Sequence, residues 1–157
     1  MDALFQTQSN ELSTTTQKEK LFKDAERQWN TLSTEKGAPG RKVDFEIYKS
    51  ILYNLEIRKV YLDSKLSLEK FSSIVGTNTT YLSNVVNHYF KCNFKHLLNK
   101  YRIGYAKQLI SNEVHSPNEL IKPCGFFLSK AHFYAAFKKI MRVSPLYYQK
   151  YYKDKQI

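Results

Sequence analysis

Two cysteines, Cys92 and Cys124, are too few for a disulfide framework, and they read as ordinary thiols in a reducing compartment. No apolar run approaches ~18 residues, so no segment reads as a membrane-spanning helix. The N-terminus lacks a basic stretch followed by a hydrophobic one, which excludes a recognisable secretion signal. A cytoplasmic location without membrane contact is the expectation. The chain also lacks a Gly-rich phosphate loop, a nucleophile elbow and an acid pair, and its four histidines are scattered. His88, Cys92 and His96 are spaced four apart, but Cys92 falls in an expected loop and no fourth ligand completes a zinc site. Neither catalysis nor a metal or other cofactor is expected.

What the chain has in excess is positive charge, with 25 Lys and Arg against 14 Asp and Glu. The excess is uneven. Residues 1–40 hold five basic and six acidic side chains, whereas residues 41–157 hold twenty and eight. A surface of that sign attracts a polyanion and gains affinity by releasing its condensed counterions. Charge that merely keeps a basic protein soluble is the plainer alternative, and only a motif can decide between them.

The motif is a Gly-centred pair of amphipathic helices that occurs twice, at Leu66 to Val86 and at Ser116 to Phe137. In the first, Leu68, Phe71, Ile74 and Val75 fall on one helical face, and Gly76 supplies the positive φ that a sharp turn needs. A second helix follows from about Thr79 to Tyr89 with Leu82, Val85 and Val86 inward. A short break between two such helices is the grammar of a helix-turn-helix. In the second, Ser116-Pro117 opens a helix, Gly125 breaks it, and a helix from Ser129 to about Met141 buries Phe133, Ala136, Phe137 and either Ala131 or Ala135. A long helix from about Phe94 to Ser111 lies between the repeats, and Ser144-Pro145 opens a closing Tyr-rich helix. No strand signal competes with these.

The expected architecture is therefore all-α, with two helix-turn-helix subdomains joined by a long central helix and preceded by an N-terminal helical extension. Residues 1–40 form that extension, partly disordered, with one amphipathic helix from Lys18 to about Leu32 and a linker at 36–41. Residues 41–157 form the basic domain, with helix-turn-helix units at about 66–90 and 116–141 and the linker helix at about 94–111. Asp44 reads as the cap of a first helix that carries Phe45, Tyr48, Ile51, Leu52 and Leu55 on one face.

Three strings in order, LSLEKFSSIVGTNTTYLSNVV, YRIGYAKQLI and AFKKIMRVSPLYY, make residues 44–152 resemble the DNA-binding region of the AraC/XylS family of bacterial transcription regulators. The resemblance implies a sequence-specific regulator whose two recognition helices enter successive major grooves of double-stranded DNA. It implies base contacts from Thr79, Thr80, Ser83, Asn84 and Asn87 in the first unit and from Lys130, His132 and Tyr134 in the second; the basic side chains Lys91, Arg102, Lys138 and Lys139 are expected to contact phosphates, Lys138 and Lys139 because they cluster near the second unit. Asn can pair bidentately with adenine, and Ser and Thr hydroxyls are permissive.

The chain departs from the family pattern in its second unit. Pro123 removes a backbone donor near the end of the first helix, and one residue more than usual separates Gly125 from Phe133. Asn84 and Ala135 stand where many relatives carry charged or amide side chains, and Lys91 and Arg142 stand where relatives often have glycine. The resemblance also suggests RNA polymerase as a further partner. The stripe of Leu21, Phe22, Trp29 and Leu32 has no partner evident in the sequence, so it is expected to meet the basic domain, a second copy or an upstream sensor or dimerisation region, and it favours the chain being part of a longer regulator. The alternative function is a helical protein-interaction module with residual non-specific DNA binding.

Overall fold

The computed structural model describes residues 16–31, 42–111, 116–127 and 129–155. Leu32 and the linker expected at 36–41 lie outside these. Every regular element among the described residues is helical: α1 over 16–31, α2 Lys42–Leu52, α3 Leu68–Val75, α4 Thr79–Tyr89, α5 Phe94–Ser111, α6 Lys130–Met141 and α7 Pro145–Lys155. Short π-helical and 3-10 turns lie at Tyr53–Ile57, Val60–Leu62 and Pro117–Leu120. None of the helices is long and apolar enough to cross a membrane. The described residues fall into two compact units, one within 16–59 and 68–91, the other within 60–67 and 92–155.

In the first unit α2 packs on α3 and α4. Ile51, Leu55, Phe71, Leu82, Val85 and Val86 are buried, as their helical spacing predicts, while Ile74 and Val75 are only half-buried. Gly76 stands at φ +86°, and its N–H and that of Thr77 both donate to the Ser72 carbonyl, which closes α3 as a left-handed residue allows. Asn78 then caps α4, its side chain accepting from the Tyr81 N–H at 2.8 Å.

One sequence expectation is corrected in this unit and one open choice is decided. Asp44 does not cap α2, which already begins at Lys42; its carboxylate instead accepts from the hydroxyls of Tyr81 and Tyr89. Of the surfaces open to the apolar stripe of α1, the one it meets is the basic domain. Ala25 and Trp29 are buried with Tyr48 and Leu52, Leu21 packs at the edge of that cluster, and Phe22 lies against Tyr53 with the Lys18 and Lys49 ammoniums over its ring. Leu21, Phe22 and Trp29 therefore pack within the unit. The N-terminal helix thus packs on α2 and on Tyr89 at the end of α4.

In the second unit Ile103, Ala106 and Ile110 of α5 meet Leu120, Cys124, Phe126, Phe133, Phe137 and Tyr148 in one apolar core. Here the expected first helix is corrected to a 3-10 turn, Pro117–Leu120, followed by turns to Gly125. Ser116 and Glu119 form a reciprocal capping box at its start. Pro123 lacks the N–H that another helical turn requires, so the segment stops short. The extra residue is absorbed in the turn, where Gly125 at φ +90° is followed by Phe127 at φ +55°, an exposed aromatic in left-handed geometry. On α6 both Ala131 and Ala135 are exposed, so neither joins Phe133, Ala136 and Phe137 in the core.

Candidate nucleic-acid interface

Burial of Leu82, Val85 and Val86 turns the other side of α4 outward. Thr80, Asn84 and Asn87 are exposed there, and Thr79 and Ser83 are half-buried beside them. All five residues expected to contact bases therefore belong to one short polar helix. Their side chains are not equally available. The Asn87 amide donates to the Ser83 carbonyl at 2.9 Å, which leaves its oxygen outward, whereas Asn84 makes no hydrogen bond among the described residues. A free amide carries a donor and an acceptor side by side, the pair that adenine presents in the major groove.

The second unit presents a different surface. Ser129 caps α6 by accepting from the His132 N–H, and burial of Phe133, Ala136 and Phe137 leaves Lys130, His132, Ala135, Lys138 and Lys139 exposed. Tyr134 is half-buried: its hydroxyl donates to Asn118 at 3.0 Å, and the Lys130 ammonium lies 5.5 Å from its ring centre. Tyr134 is thereby tethered to the Pro117–Leu120 turn, while His132 faces outward on another part of the helix.

His132, Ala135 and Lys139 line a cleft of about 380 Å³ whose other wall is Lys95, Leu98, Asn99 and Arg102 of α5. The α5 polar residues recur at i, i+4 and i+7, a signal in the sequence that identifies Lys95 and Asn99 as neighbours of the second reader and that charge counting overlooks. His96, near this cleft, has its pKa lowered by burial and by the Lys100 and Lys139 cations. Among the described residues none of Lys91, Lys95, Lys138 and Lys139 pairs with an acidic side chain.

Arg102, expected at a phosphate, is placed otherwise. Its Nε donates to the Tyr61 carbonyl at 2.7 Å and its Nη2 to the Asp63 carbonyl at 3.1 Å, with the guanidinium 5.8 Å from the Phe126 ring centre. Burial lowers its pKa, and Asp63 partly offsets that. The side chain ties the 60–67 segment to α5 and so serves the fold. Among the described residues no group of three or more His, Cys, Asp or Glu could hold a metal ion.

Two Gly-centred turns, each leading into a capped helix with an outward polar or basic face, define a helical DNA-binding domain. Residues 71–151 match the family model described as a helix-turn-helix domain. The fold is similar to the C-terminal domain of AraT, a response regulator from Geobacillus stearothermophilus, at 28% identity and a TM-score of 0.58, covering 67% of this chain and 84% of that one. It is also similar to the C-terminal domain of the two-component response regulator yesN from Fusobacterium nucleatum, at 27% identity and a TM-score of 0.56, covering 64% and 96%. A protein of unknown function from Listeria innocua shares the fold at 24% identity and a TM-score of 0.56, covering 64% and 91%. No curated protein matches the sequence. The chain belongs to the AraC/XylS family of helix-turn-helix proteins and is a DNA-binding transcription regulator.

Proposed function

We propose that the chain reads a specific double-stranded DNA sequence, with α4 as the principal base reader and α6 as a second reader in an adjacent major-groove segment. The observation that carries this is the outward face of α4, where Thr80, Asn84 and Asn87 stand exposed on a helix capped and buried along its other side. Thr79 and Ser83 flank them, and these five side chains make the base contacts. On α6, His132 and Lys130 reach bases, and Tyr134 contributes through the position its bond to Asn118 gives it. Lys91, Lys138 and Lys139 hold phosphates, joined by Lys95 on the cleft wall. Phosphate contacts position the protein and carry no sequence information, whereas the α4 amides do.

Selection from a random duplex library tests the division of labour. Asn84→Ala should alter the selected consensus at one or two positions and cost about 1–3 kcal/mol on the wild-type site if the contact is bidentate. Lys139→Ala should weaken all sequences alike. An unchanged consensus for Asn84→Ala would remove α4 as the reader. Hydroxyl-radical footprinting on the selected site then tests the second reader: two protected patches about one helical turn apart support it, and one patch alone leaves α4 as the working reader.

A further inference from the structure

The reading face of α4 is one side of a helix whose other side is held by more than apolar packing. Tyr81 and Tyr89 are eight residues apart, ~12 Å along the helix axis, and both hydroxyls converge on Asp44 of α2. Tyr81 donates to Oδ1 and Tyr89 to Oδ2 at 3.0 Å, so one carboxylate bridges the two ends of the recognition helix. Tyr89 is gripped again from α1. The Trp29 ring lies 4.4 Å from the Tyr89 ring at 40°, and Tyr48, whose hydroxyl donates to Gln28 of α1 at 3.0 Å, meets Tyr89 edge-on at 6.0 Å. Trp29 is 7% exposed and is the only tryptophan in the chain.

We propose that Asp44 and Trp29 are positioning residues for the first reader, fixing the roll of α4 about its own axis and thereby setting how sharply the chain discriminates its site from other DNA. Leu82, Val85 and Val86 are apolar and slide with little directional resistance, because dispersion contacts have no angular preference of their own. Hydrogen bonds do have one. A helix with its side chains is about 10–12 Å across, so a roll of about 15° moves a side-chain tip by about 1.5 Å, beyond the ~0.5 Å within which a recognition group must be held. The two tyrosine hydroxyls on one carboxylate oppose that roll at both ends of the helix. The tryptophan stack makes α1 part of the same support.

This inference rests on α4 being the base reader. The test measures affinity by anisotropy for the selected duplex and for a scrambled duplex of the same length, with Asp44→Asn, Tyr81→Phe and the double variant. Asp44→Asn and Tyr81→Phe each lower affinity for the selected duplex about tenfold, the size of one lost base contact, and leave the scrambled duplex unchanged. The double variant is no weaker than Asp44→Asn alone, because the Tyr81 hydroxyl acts in the clamp only through Asp44. A purely structural role predicts instead that both duplexes lose affinity together. Trp29 emission in Asp44→Asn shifts on adding the selected duplex more than in wild type, since the unclamped helix then has to move into register. Equal selected-to-scrambled ratios in wild type and both single variants overturn the proposal. Should Asp44→Asn fail to fold, Tyr81→Phe, which removes only a hydroxyl, decides alone. If Asn84→Ala leaves the consensus unchanged, α4 is not the reader and both readings fall; if it shifts the consensus while the ratios stay fixed, only the positioning role falls.

Discussion

Replacing Gly125 by alanine puts a methyl group where there is no room for one. The residue stands at φ +90°, and a Cβ there would come within 2.6 Å of the Tyr61 carbonyl oxygen and 2.8 Å of Arg102 Nε. Those two atoms are bonded to each other at 2.7 Å, so the methyl must displace the hydrogen bond that ties the 60–67 segment to α5. The left-handed backbone costs an alanine about 1–2 kcal/mol, and loss of a hydrogen bond to a charged group costs about 1.5–3 kcal/mol. The expected total is about 2.5–5 kcal/mol, a large share of the ~5–15 kcal/mol that holds a domain folded. Gly76 is the internal control. It has nearly the same φ, +86°, but a methyl group added there would meet nothing within 4 Å, so Gly76→Ala should cost only the backbone part, about 1–2 kcal/mol. Native-state hydrogen exchange reads each unit separately, at the Phe133 amide for Gly125→Ala and the Leu82 amide for Gly76→Ala. Equal losses at the two sites, or a loss below about 1 kcal/mol at Phe133, would refute the reasoning.

Lys91 and Arg142 stand at φ +60° and +65° where glycine would be unstrained, so Lys91→Gly and Arg142→Gly should each stabilise by about 0.5–1 kcal/mol after glycine's own entropy cost, read as a rise in Tm. Lys91→Gly should at the same time weaken DNA binding at low salt. In the native protein a thiol reagent should label Cys92 and leave Cys124 unmodified, because Cys124 is fully buried and burial pushes its thiol up to about 12; mass spectrometry counting two labels would contradict this. His96 should titrate in NMR below the ordinary histidine value of about 6.5, and Lys139→Gln should raise it by removing a neighbouring cation. Because its folded value is lowered, the unfolded chain takes up that proton first, so the His96 contribution to stability is present above about pH 6.5 and is lost as pH falls toward the folded value.

Local pattern made the first unit readable. Gly76 was needed by a turn that three residues separate from the next helix, and the apolar spacing of Leu82, Val85 and Val86 decided which face of α4 turns outward. Contacts between distant residues were not readable. Asp44 looks like a cap because Asp before a helix usually is one, yet its partners are 37 and 45 residues away. Arg102 looks like a phosphate ligand because it lies on a basic helix, but the carbonyl it holds is 41 residues upstream. The stripe of α1 was visible as a stripe; that it is covered by Tyr48 and Leu52 could not be inferred from its own spacing. Pro123 signalled that the second unit's first helix would be disturbed without saying that a 3-10 turn would replace it.

The salt dependence of binding to the selected duplex tests the central claim most directly. With three or four phosphates neutralised by Lys91, Lys138, Lys139 and Lys95, a plot of log K against log salt should be linear with a slope of about −2.7 to −3.6, and Lys139→Ala should make it shallower by about 0.9. A slope near zero, or no binding to any duplex at low salt, would contradict the account.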